Sequence, residues 1–260
     1  MSTTLKAQTI NTIKQIFTFK WKPTIDLAIV ALSWILVTGS LALANYVFTP
    51  ARGGLYFVFY CVIGAFIFGI GLPIFWMVKV KKRPVADLGF TKKWWLASII
   101  IQIVLATIQY FLTLYKTPIL DIKTFLPLLS LALCIGFFEA IFWRGWVLLR
   151  LEESFGIIPA IIVGSVLYAA YHIGYGMNFT EMRFLFFIGI IFAVIFRFTK
   201  NVFILWPLLQ PMGQLVTFIK DKLSLPMIAI LGFLEVLLAM IILFIMVDKY
   251  YKKRLSKIKV

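Results

Sequence analysis

Glu139, Arg144, His172, Gln210, Gln214 and Glu235 stand inside or at the edge of long apolar runs, where an ionisable side chain is costly and marks a functional site by default. Glu139 and Arg144 are five residues apart. That places them some 140° apart around a helix, so they do not form the favourable i,i+4 pair. Glu139 is free to point elsewhere. Arg144 is expected to face the end of its helix and meet backbone carbonyls or Glu152 and Glu153. Tyr168 and His172 lie one turn apart on a common face. A carboxylate and an imidazole on adjacent helices are the parts of a water-activating pair: the acid takes a proton from water, and the imidazole holds the water or serves the leaving group. Gln210 and Gln214 are again one turn apart, and side-chain amides can donate hydrogen bonds to an oxyanion. The same residues also allow plainer roles: a polar network between helices, a core histidine bonded to a tyrosine, and amides bridging helices. His172 is the only histidine, so a zinc site of two histidines and a carboxylate cannot come from one chain. No cofactor is read from these residues. A divalent metal such as zinc would need Glu139, His172 and an unusual third ligand such as Cys134.

Runs of about 20 apolar residues must position these groups, and a run of that length spans a bilayer. Eight are read: Ile25–Phe48, Gly54–Val78, Trp94–Tyr115, Thr124–Leu149, Ile157–Tyr171, Glu181–Phe198, Val202–Phe218 and Leu225–Val247. Pro207 and Pro211 predict a kink in the seventh. Of the 260 residues, 62% are hydrophobic and 14% charged, and the mean hydropathy is +1.00. An ordinary soluble domain is roughly 45–50% apolar and about 25% charged. The expected fold is therefore an all-α, polytopic transmembrane bundle of about eight spans, forming a single membrane domain over residues 1–260. Met1 to Pro23 has no short apolar core ending at a cleavage site, so no signal peptide is read there. Cys61 and Cys134 both lie in apolar runs and read as small hydrophobes in helix packing.

The chain carries 26 lysines and arginines and a formal charge of +16, but the positions of these residues argue against nucleic acid as the partner. With eight spans, one side of the membrane holds Lys6, Lys14, Lys20 and Lys22, then Lys79, Lys81, Lys82, Arg83, Lys92 and Lys93. Arg150, Arg197, Lys200 and the tail from Lys249 to Lys259 lie on that side too. The other side holds only Arg52, Lys116, Lys123, Arg183, Lys220 and Lys222. By the positive-inside rule both termini are expected in the cytoplasm. The clusters Lys79–Arg83 and Lys252–Lys259 read as topology anchors that can also touch anionic headgroups.

Taken together, these pieces resemble the CAAX protease and bacteriocin-processing family, the Abi membrane proteins. That family has a Glu-Glu-x-x-x-Arg helix, a Phe-x-x-x-His helix and a His-x-x-x-Asn helix. Here they read Glu139-Ala140-Ile-Phe-Trp-Arg144, Tyr168-Ala-Ala-Tyr-His172 and Gln210-Pro-Met-Gly-Gln214. Thr199-Lys-Asn-Val-Phe resembles the lead-in to the third motif, and Leu88-Gly89-Phe90 the short segment preceding the domain. The resemblance covers about residues 85–218. It implies an intramembrane endopeptidase in which Glu139 and His172 activate the hydrolytic water. Gln210 and Gln214 take the oxyanion positions, Arg144 is structural and Tyr168 supports the histidine. Ala140 replaces the second glutamate, and two glutamines replace His and Asn.

The expected partners are the lipid bilayer and a membrane-associated peptide or protein substrate, in a bacterial plasma membrane, with roles such as peptide maturation or bacteriocin self-immunity. A second expectation is a catalytically degenerate member that acts as a scaffold or regulator of an envelope or signalling partner. A third is a transporter with Glu235 as its ion site; the alternative role for Glu235 is a bond to the Gln210/Gln214 helix.

Overall fold

A computed structural model describes residues 16–49, 53–118 and 120–258, with the side chains of Tyr251 and of residues 253–258 outside that description. Lys6, Lys14, Arg52 and Lys259 lie outside the described residues. All regular structure among the described residues is helical. Helix α1 covers Ile25–Phe48, α2 Gly54–Val80, α3 Trp95–Thr113, α4 Ile122–Phe155, α5 Ile157–Tyr175 and α6 Phe179–Thr199. Helix α7 covers Leu209–Lys220 and α8 Leu231–Ile258. Seven of them, all but α7, are long and apolar enough to cross a bilayer. The chain is an integral, multi-pass membrane protein.

The segment expected as a seventh span, Val202–Phe218, is not one helix. It starts as a tight turn at Val202–Ile204 and becomes helical only at Leu209. Asn201 explains the start of the turn: its carbonyl oxygen caps Phe203 N at 3.0 Å, and its amide donates to the carbonyls of Thr91 and Lys93, each at 2.8 Å. Pro207 has no N–H to continue a helix, whereas Pro211 sits in the first turn of α7, where N–H groups have no intrahelical partner. Twelve residues make about 18 Å of helix, short of the ~30 Å hydrocarbon core.

The chain nevertheless passes from one end of the bundle to the other between α6 and α8. Lys20 N and Lys22 N donate to the carbonyls of Phe155 and Ser154 at 3.1 and 3.0 Å. Lys81 pairs with Asp26 at 3.1 Å, Arg83 with Glu153 at 2.7 Å, and Lys92 with Asp248 at 3.7 Å. Glu152 holds both Arg197 and Lys200. The approach to α1, the α2–α3 and α4–α5 connections, the end of α6 and the end of α8 therefore share one end, which holds most of the basic residues. Lys116, Lys123, Arg183, Lys220 and Lys222 belong to the other.

The ion pairs at this end differ in value because their burial differs. The Glu153 side chain is 43% exposed and that of Glu152 only 17%. The Glu153 carboxylate also accepts from Arg83 and raises the pKa of that guanidinium above its ordinary value. The Asp248 side chain is 45% exposed and pairs with the exposed Lys92 and Lys252, so Asp248→Ala should leave stability almost unchanged, as is usual for exposed pairs. Glu152→Ala strips two cations of one partly buried acceptor and should cost about 2–3 kcal/mol. Unfolding midpoints of the two variants in detergent would rank them; equal losses would mean that burial does not set the value of these pairs.

Helix α4 is the axis of the bundle. Inside the protein, 78% of its most apolar stretch is buried, against at most 44% for any other spanning helix. It touches α1 through the Trp146 indole N–H on Ser33 Oγ at 3.2 Å, and the α8 approach through Ser130 Oγ on the Ala229 carbonyl at 2.8 Å. Residues 134–148 of α4 are buried on every face, and Glu139 lies among them.

Candidate active site

Glu139 is completely buried, and a carboxylate there needs donors to replace water. It has three. The Tyr171 hydroxyl of α5 donates to Oε1. From α7, the Gln210 amide donates to Oε2 at 2.5 Å and the Gln214 amide donates to the same oxygen at 3.1 Å. The one-turn spacing of the two glutamines is what lets both reach one atom. Gly136, one turn before Glu139, lets α7 come this close: a Cβ at that position would stand 2.6 Å from Cγ and 2.8 Å from Cδ of Pro211, the neighbour of Gln210.

His172 is 4% exposed. It lies where α5 tightens into the 3₁₀ turn Tyr171–Tyr175. Its Nδ1 is 2.8 Å from the Tyr168 carbonyl. A carbonyl only accepts, so Nδ1 carries the ring proton and Nε2 keeps a lone pair. Three tyrosine rings surround the imidazole: Tyr171 at 4.2 Å, Tyr168 at 5.1 Å and Tyr175 at 5.2 Å between ring centroids. Tyr171 thus touches both partners of the expected pair, with its hydroxyl on Glu139 and its ring against His172.

Residues 121–208 match the family model of Rce1-like type II CAAX prenyl endopeptidases. This stretch is similar to the CAAX proteases. The match spans Glu139, Arg144, Tyr168, Tyr171 and His172 and ends two residues before Gln210. No curated protein and no solved structure matches the chain. The two short segments flanking the CAAX protease motifs also meet in space, since Val202 N donates to the Gly89 carbonyl at 2.9 Å.

The geometry departs from the sequence reading of the CAAX protease motifs in four places. Gln210 and Gln214 do not stand clear of Glu139; each spends an amide N–H on its carboxylate. Arg144 does not reach Glu152 or Glu153, because those acids serve Arg197, Lys200, Arg83 and Arg150. It is fully buried, its three nitrogens have no hydrogen-bond partner, and it lies over the Tyr168 ring at 5.1 Å and the Phe192 ring at 5.9 Å. Glu235 is not bonded to the α7 glutamines, and Cys134 does not join Glu139 and His172. Instead Cys61, Cys134 and Glu235 converge, with one ligand atom of each within 4.8 Å of the others. Tyr171 is the site residue that sequence reasoning missed. The signal was present: a buried carboxylate needs donors, and Tyr171 adjoins the motif histidine.

Proposed function

We propose that the protein is an intramembrane endopeptidase that cleaves a membrane-associated peptide or lipidated protein with water activated by Glu139. The observation that supports it most is the use of acceptor sites at the buried carboxylate. Two carboxylate oxygens offer about four lone-pair sites. The Tyr171 hydroxyl uses one on Oε1, and Gln210 and Gln214 use two on Oε2. One site on Oε1 is left for a water O–H, and His172 Nε2 can accept the second O–H. A water held this way turns a lone pair towards the scissile carbonyl. As its oxygen attacks the carbonyl carbon, its proton passes to Glu139. Glu139 then returns that proton to the leaving amine as the C–N bond breaks. Gln210, Gln214 and Tyr171 position the base, and Tyr168 fixes the tautomer of His172.

Both termini are assigned to the cytoplasm of a bacterial plasma membrane. The gathering of basic residues at the end shared by the α1 approach and the end of α8 favours this orientation.

His172→Ala tests the reading in cells. Expression of the wild-type chain should generate new peptide termini in membrane proteins, and the variant, at equal abundance, should not. Identical terminus profiles would instead favour a second reading, a non-cutting scaffold or regulator. A specific observation favours that alternative: the two amides at the positions of the family's His and Asn are already engaged by Glu139.

A further inference from the structure

Away from Glu139 and His172, a second cluster of reactive side chains joins three helices. Cys61 on α2 and Cys134 on α4 are both fully buried, and Glu235 comes from α8. One donor atom of each lies within 4.8 Å of the other two. The Glu235 Oε2 atom is buried with no hydrogen-bond partner, an expensive state for a carboxylate within a spanning segment. Gly232, one turn earlier on α8, makes the approach: a Cβ there would stand 2.6 Å from Cys134 Sγ and 2.7 Å from Ser130 Oγ. The Cys134 thiol donates to the Gly232 carbonyl at 3.1 Å. The chain has only these two cysteines, and helix packing has brought them together with an acid.

We propose that Cys61, Cys134 and Glu235 bind a soft divalent cation of the zinc or cadmium class and tie α2, α4 and α8 together at membrane depth. Two sulfurs and a carboxylate oxygen are a ligand set suited to such ions, with a fourth position for water. Zinc–sulfur bonds of about 2.3 Å at tetrahedral angles put ligand atoms about 3.8 Å apart. The observed cluster therefore has to tighten by no more than about 1 Å, within reach of side-chain rotation. Binding exchanges the two thiol protons for a doubly charged ion. The net charge of the cluster is unchanged, so no additional charge is buried. The ion also supplies the partner that Oε2 lacks. Because Cys134 is on the same helix as Glu139, five residues away, an occupied site would hold the part of α4 that carries the carboxylate.

The test is a cadmium titration of the purified, reduced full chain in detergent. A thiolate-to-cadmium charge-transfer band should grow and saturate at one equivalent, with about two protons released per ion. Cys61→Ser and Cys134→Ser should each abolish the saturating band. Glu235→Gln should weaken binding at least about tenfold, since even outer-shell partners of metal ligands are worth 10–100-fold. The band and the proton count need no variant, so misfolding of a substituted chain cannot hide the answer. Absence of the band, its persistence in either serine variant, or a thiol assay showing that the cysteines are already joined as a disulfide would overturn the proposal.

Discussion

Glu139→Gln should lower peptide hydrolysis by about 10²–10⁴-fold, the contribution of a positioned general base, and leave the fold intact. The carboxylate accepts from Tyr171, Gln210 and Gln214. A glutamine in its place can accept both α7 amides on its oxygen and donate its own N–H to the Tyr171 hydroxyl oxygen. Both α7 amides and the Tyr171 hydroxyl oxygen keep a partner and only the Tyr171 O–H must turn away, but no base remains. Glu139→Ala differs in kind. It leaves the buried Tyr171 and Gln210 donors and the half-buried Gln214 amide without an acceptor, at about 1–3 kcal/mol for each buried one, so loss of activity there would be mixed with loss of protein. The comparison is made by measuring cleavage and unfolding midpoint together. A glutamine variant as unstable as the alanine variant would mean that the network depends on the negative charge of the carboxylate rather than on its acceptors.

The second large effect is expected at Gly136, which touches no reacting atom. Its missing side chain sets the distance between α4 and α7. The Pro211 ring that a Cβ would strike is rigid and begins at the residue after Gln210. Gly136→Ala must displace α7, at the about 1–3 kcal/mol typical of overpacking, and draw Gln210 from Glu139. Misplacement by about 1 Å can cost 10²-fold in rate, so a loss of about 10- to 100-fold is expected. Gly213→Ala is the control on α7 itself: there a Cβ would meet only the flexible end of Gln109, at 3.2 Å. Equal activity in the two alanine variants would show that the α4–α7 approach does not position the base.

The features legible in the sequence are those that hydrophobic length and charge placement determine. The apolar runs set the helices, and the distribution of lysine and arginine anticipated which connections share an end. The seventh run shows the limit of that reading. Val202–Phe218 is apolar enough to span, but Asn201 and Pro207 replace its first part with a turn. The site was legible as a set of residues and not as a set of contacts. Spacing puts Gln210 and Gln214 on one face of α7, but rotation of the helix decides whether that face meets an empty pocket or Glu139. Likewise nothing in the spacing of Glu235 tells whether α8 turns it towards α7 or towards Cys61 and Cys134. The small residues that decide such rotations, Gly136 and Gly232, are visible in the sequence, but what they pack against is not.

The most direct test of the hydrolytic account is cleavage by the purified chain in proteoliposomes, in ¹⁸O-labelled water, of a prenylated peptide and of a set of apolar-tailed peptides. The account predicts fragments whose new carboxyl end carries one ¹⁸O, formed by the wild-type chain and absent with Glu139→Gln. No fragments from the wild-type chain, or equal amounts from the glutamine variant, would contradict it and leave residues 121–208 as a protease-like scaffold that does not cut.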